Sequence, residues 1–257
     1  MSRTVVIITG ASSGMGREFA LQLDARLRKT DEIWLIARRR ERLEELSKKM
    51  RNKTRILTMD ITKEAQVERL ADTLLDKDVV VKMLVNCAGF GIIGDFPHMT
   101  IDEQLSMVRT NCEALTHVTH TCLPFMRKNS RIINLASSAA FMPQPGFAVY
   151  AATKSYVHSF SLALAQELKS KNIYVTSVCP GPVDTEFFDI AESDGNGTLA
   201  IKKIFMAKAP NVVKKALFDA CHKKTKSVYS LPMQAFDVLC KLIPHNILLT
   251  IVRFIKE

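Results

Sequence analysis

Residues 4–16 read TVVIITGASSGMG and join a short β-branched run to a cluster of glycines. The run Thr4–Thr9 is apolar on both faces, as expected for a strand of a parallel sheet that is covered on both sides. Gly10 permits a tight turn, Gly14 lets the backbone approach a phosphate, and Gly16 lets the next helix pack close to the sheet. Because a helix N-terminus attracts anions, this strand–turn–helix unit predicts a dinucleotide-binding site.

Similar short strands and longer amphipathic segments alternate along the chain. Strands are predicted at Thr4–Thr9, Ile33–Ala37, Arg55–Met59, Met83–Asn86, Ile132–Ala136 and Tyr174–Val178. Helices are predicted at Met15–Lys29, Arg39–Arg51, Lys63–Asp76, Asp102–Met126 and Val149–Lys169. This alternation predicts an α/β fold with one Rossmann-like, doubly wound parallel sheet flanked by helices. We expect a single domain over residues 1–257, with a C-terminal helical extension at 231–257.

Composition and charge exclude several classes of protein. The chain has 257 residues, of which 47% are hydrophobic and 24% charged, which is typical of a globular protein rather than a disordered or fibrous one. It contains no apolar run of about 18 residues, so a multi-span membrane protein is not indicated. Residues 201–257 carry 11 Lys and Arg against 3 Asp and Glu, whereas residues 1–200 carry 25 against 23. Such an uneven charge argues against a nucleic-acid partner.

The cysteines and histidines indicate neither disulfides nor a metal site. The six cysteines contain no CxxC pair, and no signal peptide precedes them, so reduced thiols and a cytoplasmic location are expected. His117 and His120 lie three residues apart on a predicted helix, but no matching carboxylate accompanies them. We therefore predict no metal.

The end of the second predicted strand carries information about the cofactor. Residues 36–40 read IARRR. An acidic residue here would bind the ribose 2′-hydroxyl of NAD, whereas a guanidinium suits the 2′-phosphate of NADP. Since Ala37 is not acidic and Arg38 follows it, the sequence favours NADP(H). The alternative is a solvated basic start to the next helix, in which Arg39 and Arg40 pair with the glutamates that follow them.

Three polar residues near the middle of the chain form a candidate catalytic set. Tyr150 and Lys154 are four residues apart and share a helix face, so the ammonium is expected to lower the pKa of the phenol toward neutrality. Tyr150 would then serve as a general acid and base. Ser137 stands thirteen residues earlier, at the end of the fifth predicted strand, where an open α/β sheet binds its ligands. Its hydroxyl can hydrogen-bond a substrate carbonyl oxygen.

From Thr4 to about Tyr229 the chain resembles the short-chain dehydrogenase/reductase family, in its NADP-preferring type. The glycine turn has the spacing GxxxGxG, and a YxxxK motif follows Ser137 at the separation found in that family. Ser138 is an alternative hydroxyl, one residue closer to the tyrosine. Cys87 and Ala140 depart from the Asn and Gly that are frequent at those places. Further matching residues are Asp60, Asn86, Ala88, Gly89, Asn111 and the segment PGPVDT at 180–185.

The resemblance implies a role for each matching residue. Tyr150 transfers a proton while hydride moves to or from the nicotinamide, Lys154 binds the nicotinamide ribose, and Ser137 orients the substrate oxygen. Asn111 holds a water that links Lys154 to solvent. The implied cofactor-binding residues are Gly10, Ser12, Ser13, Gly14, Met15, Gly16, Arg38, Asp60, Ile61, Asn86, Ala88, Gly89, Tyr150, Lys154, Pro180, Gly181, Val183 and Thr185.

The sequence thus predicts an NADP(H)-dependent oxidoreductase that interconverts a secondary alcohol and a ketone. Apolar residues on segments that surround the nicotinamide in this family favour an apolar substrate, such as a steroid or a lipid-like carbonyl. These residues are Phe90, Ile92, Ile93, Phe141, Met142, Phe187, Phe188, Phe205 and Met206. A membrane-surface lipid ketone reductase and a non-catalytic dinucleotide-binding sensor remain alternatives. The resemblance also implies a homodimer or homotetramer, paired through the helices at about 102–127 and 149–169.

The C-terminal part of the chain contains two further segments, at 184–210 and 231–257, for which the sequence makes structural predictions. Residues 184–210 lose periodicity and are predicted to form a functional lid. Pro232 and Pro244 divide the tail into two helices, and the second carries an apolar stripe that is too short to span a bilayer. The stripe consists of Ile243, Ile247, Leu248, Ile251, Phe254 and Ile255. We favour packing on the substrate entrance or a neighbouring subunit over contact with a membrane surface or a simple core cap.

Overall fold

The computed structural model describes residues 3–27, 32–76, 78–187 and 206–256, with side chains described as far as residue 250. The strands are β1 (Arg3–Thr9), β2 (Glu32–Ala37), β3 (Lys53–Thr58), β4 (Val79–Asn86), β5 (Met126–Leu135), β6 (Tyr174–Val178), β7 (Val183–Asp184), β8 (Ala207–Lys208) and β9 (Lys226–Ser227). The helices are α1 (Gly14–Arg26), α2 (Arg40–Ser47), α3 (Glu64–Asp76), α4 (Ile101–Val108), α5 (Ala114–Cys122), α6 (Ala148–Glu167), α7 (Ala209–Cys221), α8 (Leu231–Leu242) and α9 (His245–Lys256).

Seven of the strands form one parallel sheet in the order β3-β2-β1-β4-β5-β6-β9. Strands β1 to β3 follow one another toward one edge of the sheet, and the strands from β4 onward follow one another toward the other edge. The topological switch point therefore lies between β1 and β4, and open α/β sheets bind their ligands in the crevice at such a point. The predicted doubly wound Rossmann-like fold is therefore confirmed.

The alternation of side chains along β1 explains why its sequence is apolar throughout. Val6 and Ile8 point into the core beneath α1 and α7, whereas Val5 and Ile7 point into the core beneath α3, α5 and α6. All four side chains are fully buried. A strand that is covered on both faces needs apolar residues at every position, and this is the pattern that made β1 recognisable.

The long helix predicted at Asp102–Met126 is interrupted. A capping box between Thr100 and Glu103 begins α4, and a π-helical turn at Arg109–Glu113 separates α4 from α5. A π turn inserts an extra residue without breaking the apolar periodicity strongly, so the sequence did not reveal it. The prediction also missed the first part of β5, because residues 127–131 are mostly polar.

Several elements beyond β6 were not predicted. Helix α7 packs on α1 and β6, and strand β9 adds a seventh member to the edge of the sheet. Strand β7 pairs with β8, and Ala207 N donates to Pro182 O at 2.9 Å. Of the predicted lid at 184–210, residues 188–205 lie outside the described residues.

The two predicted helices of the tail are present as α8 and α9. The inner side of α8 covers the protein: Met233 and Phe236 pack against a cluster that contains Phe141 and Val157. Leu248 of α9 is buried in the same cluster. The side chains of the predicted stripe at Ile251, Phe254 and Ile255 lie outside the described residues. Within the described chain, no helix has both the length and the apolar character needed to cross a bilayer.

Candidate active site

A cleft of about 1060 Å³ opens at the carboxyl ends of the central strands. It brings together seventeen of the eighteen residues implied in cofactor binding, with Ser137, and leaves out two predicted site residues, Asn86 and Asn111. The predicted residues that line it are Gly10, Ser12, Ser13, Gly14, Met15, Gly16, Arg38, Asp60, Ile61, Ala88, Gly89, Ser137, Tyr150, Lys154, Pro180, Gly181, Val183 and Thr185.

The glycine turn between β1 and α1 forms one wall of this cleft. Gly10 has φ +66°, and a Cβ there would lie 2.7 Å from the backbone N of Ala88. A Cβ on Gly16 would lie 2.2 Å from the carbonyl oxygen of Gly10. Thr9 Oγ1 accepts hydrogen bonds from the backbone N–H of Cys87 and Ala88 and so joins the turn to the end of β4. The turn thus leaves backbone rather than side chains facing a bound pyrophosphate.

The three candidate catalytic residues come from β5 and α6. Ser137 follows β5 by two residues, and its hydroxyl hydrogen-bonds Tyr150. Lys154 Nζ lies 5.6 Å from the centroid of the Tyr150 ring and donates to the carbonyl oxygen of Leu135 at 2.9 Å. Tyr150 and Lys154 are both buried, although each lines the cleft. The helix places the two groups on one face, as their spacing predicts.

The protonation of this set differs from the expectation. Burial raises the pKa of Tyr150 to about 12, and the hydrogen bond with Ser137 opposes this only in part. Burial lowers the pKa of Lys154 to about 8. The sequence predicted that Lys154 would lower the pKa of the phenol. In the structure the loss of solvation dominates, because both groups are removed from water and the ammonium is bonded to a carbonyl.

Asn111 lies behind the catalytic residues, in the π-helical turn. Its Oδ1 accepts from Phe90 N, and its Nδ2 donates to Phe90 O and to Thr153 Oγ1. Thr153 in turn donates to the carbonyl oxygen of Tyr150. A Cβ on Gly89 would meet both Asn111 Oδ1 and Lys154 Nζ. The amide therefore joins the loop after β4 to the tyrosine turn of α6, which adds a positioning contact to the water-holding role that the resemblance implies.

Asn86 serves the interior instead of the cleft. It is buried, and its Nδ2 donates to Thr119 Oγ1 and Asn134 Oδ1, both at 2.9 Å. Asn134 donates onward to Ser161. This network joins β4, β5, α5 and α6 beneath the cleft floor, so the side chain of Asn86 supports the site from below.

The far end of the cleft lies at the ends of β2 and β3. Arg38 is exposed there. Burial raises the pKa of Asp60, but hydrogen bonds from Thr62 and the charge of Arg38 more than offset this, and the pKa falls below its usual value. Asp60 Oδ1 accepts from both the backbone and the hydroxyl of Thr62. Asp60 is thus ionised at neutral pH. Its carboxylate stabilises the turn from Asp60 to Thr62 and also lines the cleft.

Arg39 is a further cleft residue that the sequence did not single out. Its guanidinium donates to Ser13 Oγ at 2.7 Å, to Ser12 Oγ at 3.2 Å and to Glu186 at 3.2 Å. Arg42 donates to the same carboxylate at 2.6 Å. The expected pairing with the following glutamates occurs for Arg40, which contacts Glu44 at 2.8 Å. Only the fold brings residue 39 against residues 12 and 13, so local sequence could not separate its role from that of Arg40.

Apolar side chains pack around the ring of Tyr150. The ring of Phe147 stacks on Tyr150 with centroids 4.1 Å apart, and Phe187 lies 5.5 Å away. Phe90 and Ile92 pack in the same cluster with Met107. Of the residues predicted to surround the substrate, Phe141 and Met142 instead pack beneath α8, because the turn after Ser138 directs them away from the cleft. Phe188 and Phe205 lie outside the described residues.

Comparison with known proteins identifies this arrangement. Residues 4–195 match the family model described as short chain dehydrogenase. The chain belongs to the short-chain dehydrogenase family. The predicted enzyme class is thereby confirmed: this short-chain dehydrogenase is an oxidoreductase that uses a nicotinamide dinucleotide.

Individual relatives agree with the family. A serine 3-dehydrogenase of Agrobacterium fabrum is 37% identical over 201 residues, which cover 76% of this chain and 78% of the relative. Sulfoacetaldehyde reductase 2 of Chromohalobacter salexigens is 36% identical over 193 residues, covering 71% and 74%. A solved short-chain dehydrogenase from Sphingobium yanoikuyae in complex with NADPH has a TM-score of 0.78 at 26% identity and covers 94% of this chain and 96% of its own.

The cysteines of the dehydrogenase are free thiols, and one of them lies beside the catalytic lysine. Cys87 lies near Lys154, where burial raises the pKa of its thiol to about 12. A neutral thiol is a poor nucleophile and a poor metal ligand. All six cysteines are free, and the described residues hold no cluster of three side chains suited to a metal ion.

The ion pairs of Glu186 lead to a prediction about cofactor affinity. Arg42 and then Arg39 hold the pKa of Glu186 below its usual value, so this carboxylate is ionised at neutral pH at the edge of an anion-binding cleft. We expect Glu186→Gln to tighten NADPH binding about 1.4- to fivefold, because exposed charges of this kind contribute about 0.2–1 kcal/mol. Fluorescence titration with NADPH measures the change.

The matched control is Glu44→Gln. Glu44 is as exposed as Glu186 and also pairs with an arginine of α2, but that arginine points away from the glycine turn. We expect it to leave the affinity unchanged. Weaker binding in Glu186→Gln would show that the ion pair holds the cleft together more than its charge repels the cofactor.

Proposed function

We propose that the enzyme is an NADP-dependent dehydrogenase that interconverts a secondary alcohol and a ketone on an apolar substrate. The observation that carries this proposal is the apolar cluster around Tyr150, directly beside Ser137 and Lys154. The catalytic set supports alcohol–ketone chemistry, and the cluster supports an apolar substrate because burying a charged one there would be costly.

The cations of the cleft support the same conclusion. Among the described residues, Arg38, Arg39 and Lys63 line the end of the cleft at β2 and β3. Arg109 is paired with Asp102 at 2.6 Å. Among the lining residues that the structure describes, Lys154 is thus the cation beside the reacting groups. Serine and sulfoacetaldehyde, named for the two relatives, carry a carboxylate or a sulfonate, which would need a free cation near Tyr150.

The residues of the set divide the chemistry between them. A nicotinamide bound in the cleft would supply or accept the hydride. During reduction Tyr150 Oη gives a proton to the carbonyl oxygen of the substrate, and during oxidation it takes the proton back. Ser137 Oγ donates a hydrogen bond to the same oxygen as negative charge develops. Lys154 holds the nicotinamide ribose, and its positive charge stabilises the tyrosinate that remains after reduction.

The preference for NADP(H) rests on the arginines after β2. Arg38 is exposed at the end of the strand, and Arg39 spans the two serines of the glycine turn. Guanidinium groups bind a phosphate through paired, charge-assisted hydrogen bonds. Position 37 is an alanine rather than an acidic residue, so no carboxylate there would repel the 2′-phosphate. The Sphingobium relative, solved with NADPH, supports the same cofactor.

A substrate panel tests the proposal. We would follow NADPH absorbance with a series of ketones of increasing apolar size, with steroid and acyl-chain ketones at its end, and with sulfoacetaldehyde. Serine and 3-hydroxy acids would be tested with NADP⁺. We expect kcat/KM to rise with apolar area. A higher kcat/KM for the anionic compounds would overturn the apolar assignment, and NADPH binding without any turnover would favour a dinucleotide sensor.

The enzyme assembles, we infer, as a homodimer or homotetramer in the cytoplasm. Helix α4 and the neighbouring helix α6 leave apolar side chains exposed to solvent. Such exposure is unusual unless another protein surface covers these side chains. These side chains are Ile101, Leu105, Val108 and Tyr156. Sedimentation at micromolar concentration is expected to give a particle of at least twice 28.8 kDa. A particle of monomer mass would contradict the assembly.

The lowered pKa of Lys154 predicts a pH profile for reduction. Lys154 is active as a cation, so the active form exists below its pKa of about 8 and is lost as the pH rises through that value. We expect kcat/KM for ketone reduction to be level at pH 6–7 and to fall above about pH 8. Lys154→Arg keeps its charge throughout this range and is expected to lose the alkaline decline, at a lower plateau. An unchanged decline in this variant would assign it to another group.

A further inference from the structure

The outward face of α8 is apolar and exposed to solvent. Leu231 is 79% exposed, Val238 53%, Leu239 45% and Leu242 76%. Together with Ala235 these residues follow the spacing i, i+4, i+7, i+8 and i+11, which places them on one side of the helix. We call these five residues the α8 stripe.

The opposite face of α8 is already used. Met233 packs so closely on Gly181 that a Cβ there would lie 2.7 Å from its sulfur, and Phe236 contacts Phe141 with ring centroids 6.2 Å apart. Cys240 is buried on the same side. The stripe is therefore distinct from the side of α8 that packs on the core. A helix that is apolar on both sides normally buries both, so the stripe calls for a second surface.

The charges around the stripe indicate what that surface is. Asp237 is the one acidic residue in 231–256; it is 7% exposed and is bound by Lys226 and Lys241. The solvent side of this helix pair, as far as the structure describes it, thus carries no carboxylate, while the Lys241 side chain is 62% exposed at the edge of the stripe. An apolar stripe that has an exposed lysine at its edge and no exposed carboxylate on the described part of its helix matches an anionic lipid surface.

Charge also argues against a second copy of the chain as the occupant. Residues 201–257 carry 11 Lys and Arg against 3 Asp and Glu, so pairing two stripes would bring two strongly cationic segments together. Like charges across an interface oppose association. An anionic bilayer instead gains from the same charge.

We propose that the α8 stripe docks the enzyme on the surface of an anionic bilayer. Since Met233 on the inner side of the same helix packs on Gly181, which lines the cleft, docking places this wall of the cleft about one helix diameter from the lipid. Delivery of an apolar substrate from the bilayer is the part of this inference that rests on the proposed function; the docking itself does not. The ranking from the sequence concerned the stripe of α9 and favoured packing on the substrate entrance or a neighbouring subunit; for α8 the inference favours a membrane surface instead.

Vesicle co-sedimentation tests the docking with the full-length enzyme. The variant Leu231→Gln/Val238→Gln/Leu242→Gln removes the stripe at exposed positions, where the fold does not depend on it. Leu75→Gln is the matched control, since Leu75 is 68% exposed on α3, far along the chain from the stripe. The probes are vesicles of phosphatidylserine mixed with phosphatidylcholine, and of phosphatidylcholine alone.

We expect the native enzyme and Leu75→Gln to bind the anionic vesicles, more weakly at high salt, and the triple variant to lose at least about tenfold in affinity. NADPH binding by the triple variant shows that it is folded. The docking is overturned if the native enzyme does not bind the vesicles, or if the triple variant binds them equally well. It is also overturned if the stripe is needed for dimer formation and the dimer does not bind vesicles. Because binding is measured without turnover, inactivity toward apolar ketones would overturn the proposed substrate and leave this result standing.

Discussion

Tyr150→Phe is expected to lower kcat at least about 100-fold while the affinity for NADPH stays within about twofold of the native value. The substitution removes the hydroxyl that we assign to proton exchange with the substrate oxygen, and general acid–base catalysis contributes about 10²–10⁴-fold. The ring itself remains stacked on Phe147, so the shape of the cleft is retained. Steady-state turnover and fluorescence titration with NADPH measure the two quantities separately.

Tyr156→Phe is the control for this experiment. Tyr156 lies on the same helix, and its hydroxyl hydrogen-bonds Thr116 at 2.8 Å outside the cleft. It should keep near-native turnover. If Tyr150→Phe also kept it, another group would have to supply the proton, and Ser137 would be the next candidate because it touches the same phenol.

The second large effect is expected on cofactor choice. The variant Ala37→Asp/Arg38→Ala replaces a phosphate-binding cation with a carboxylate suited to a ribose 2′-hydroxyl. Loss of a charge-assisted contact to a phosphate is worth about 1.5–3 kcal/mol. The ratio of kcat/KM for NADP⁺ over NAD⁺ should therefore fall about 10- to 150-fold, and initial rates with both cofactors measure it.

Arg40→Ala gives the matched control for that variant. Arg40 belongs to the same run of three arginines, but it pairs with Glu44 and does not line the cleft. Its removal should leave the ratio unchanged. A native enzyme that prefers NAD⁺ would reject the assignment of Arg38, and an equal effect of Arg40→Ala would mean that general charge, rather than a specific contact, sets the preference.

The sequence alone was sufficient for the fold class and for most of the cleft. Strands such as β1 are apolar throughout because they are buried on both faces, and Gly10 and Gly16 are where backbone meets backbone. Gly16 meets the backbone of Gly10, six residues away, whereas Gly10 meets Ala88 in the loop after β4. Both glycines were still recognisable, because the strand, the turn and the start of the helix follow one another along the chain and leave a local signal. The pair Tyr150 and Lys154 was recognisable for the same reason, since the helix repeat fixes their separation.

Only the tertiary structure decided the features that depend on residues distant in sequence. Arg39 and Arg40 have the same local context, yet the fold turns the first toward Ser12 and Ser13 and the second toward Glu44. Asn86 looked like a cleft residue but is committed to a buried network with Thr119 and Asn134, 33 and 48 residues away.

The protonation of the site and the role of the tail were decided in the same way. Burial by several elements, rather than the neighbouring lysine, sets the pKa of Tyr150, and no local spacing reports how much water the fold removes. The tail sequence predicted two helices and an apolar stripe on the second, but the periodicity of α8 cannot tell which face the protein covers. The packing of Met233 and Phe236 inward leaves Leu231 and Leu242 facing solvent, because a helix can bury only one side against a single layer.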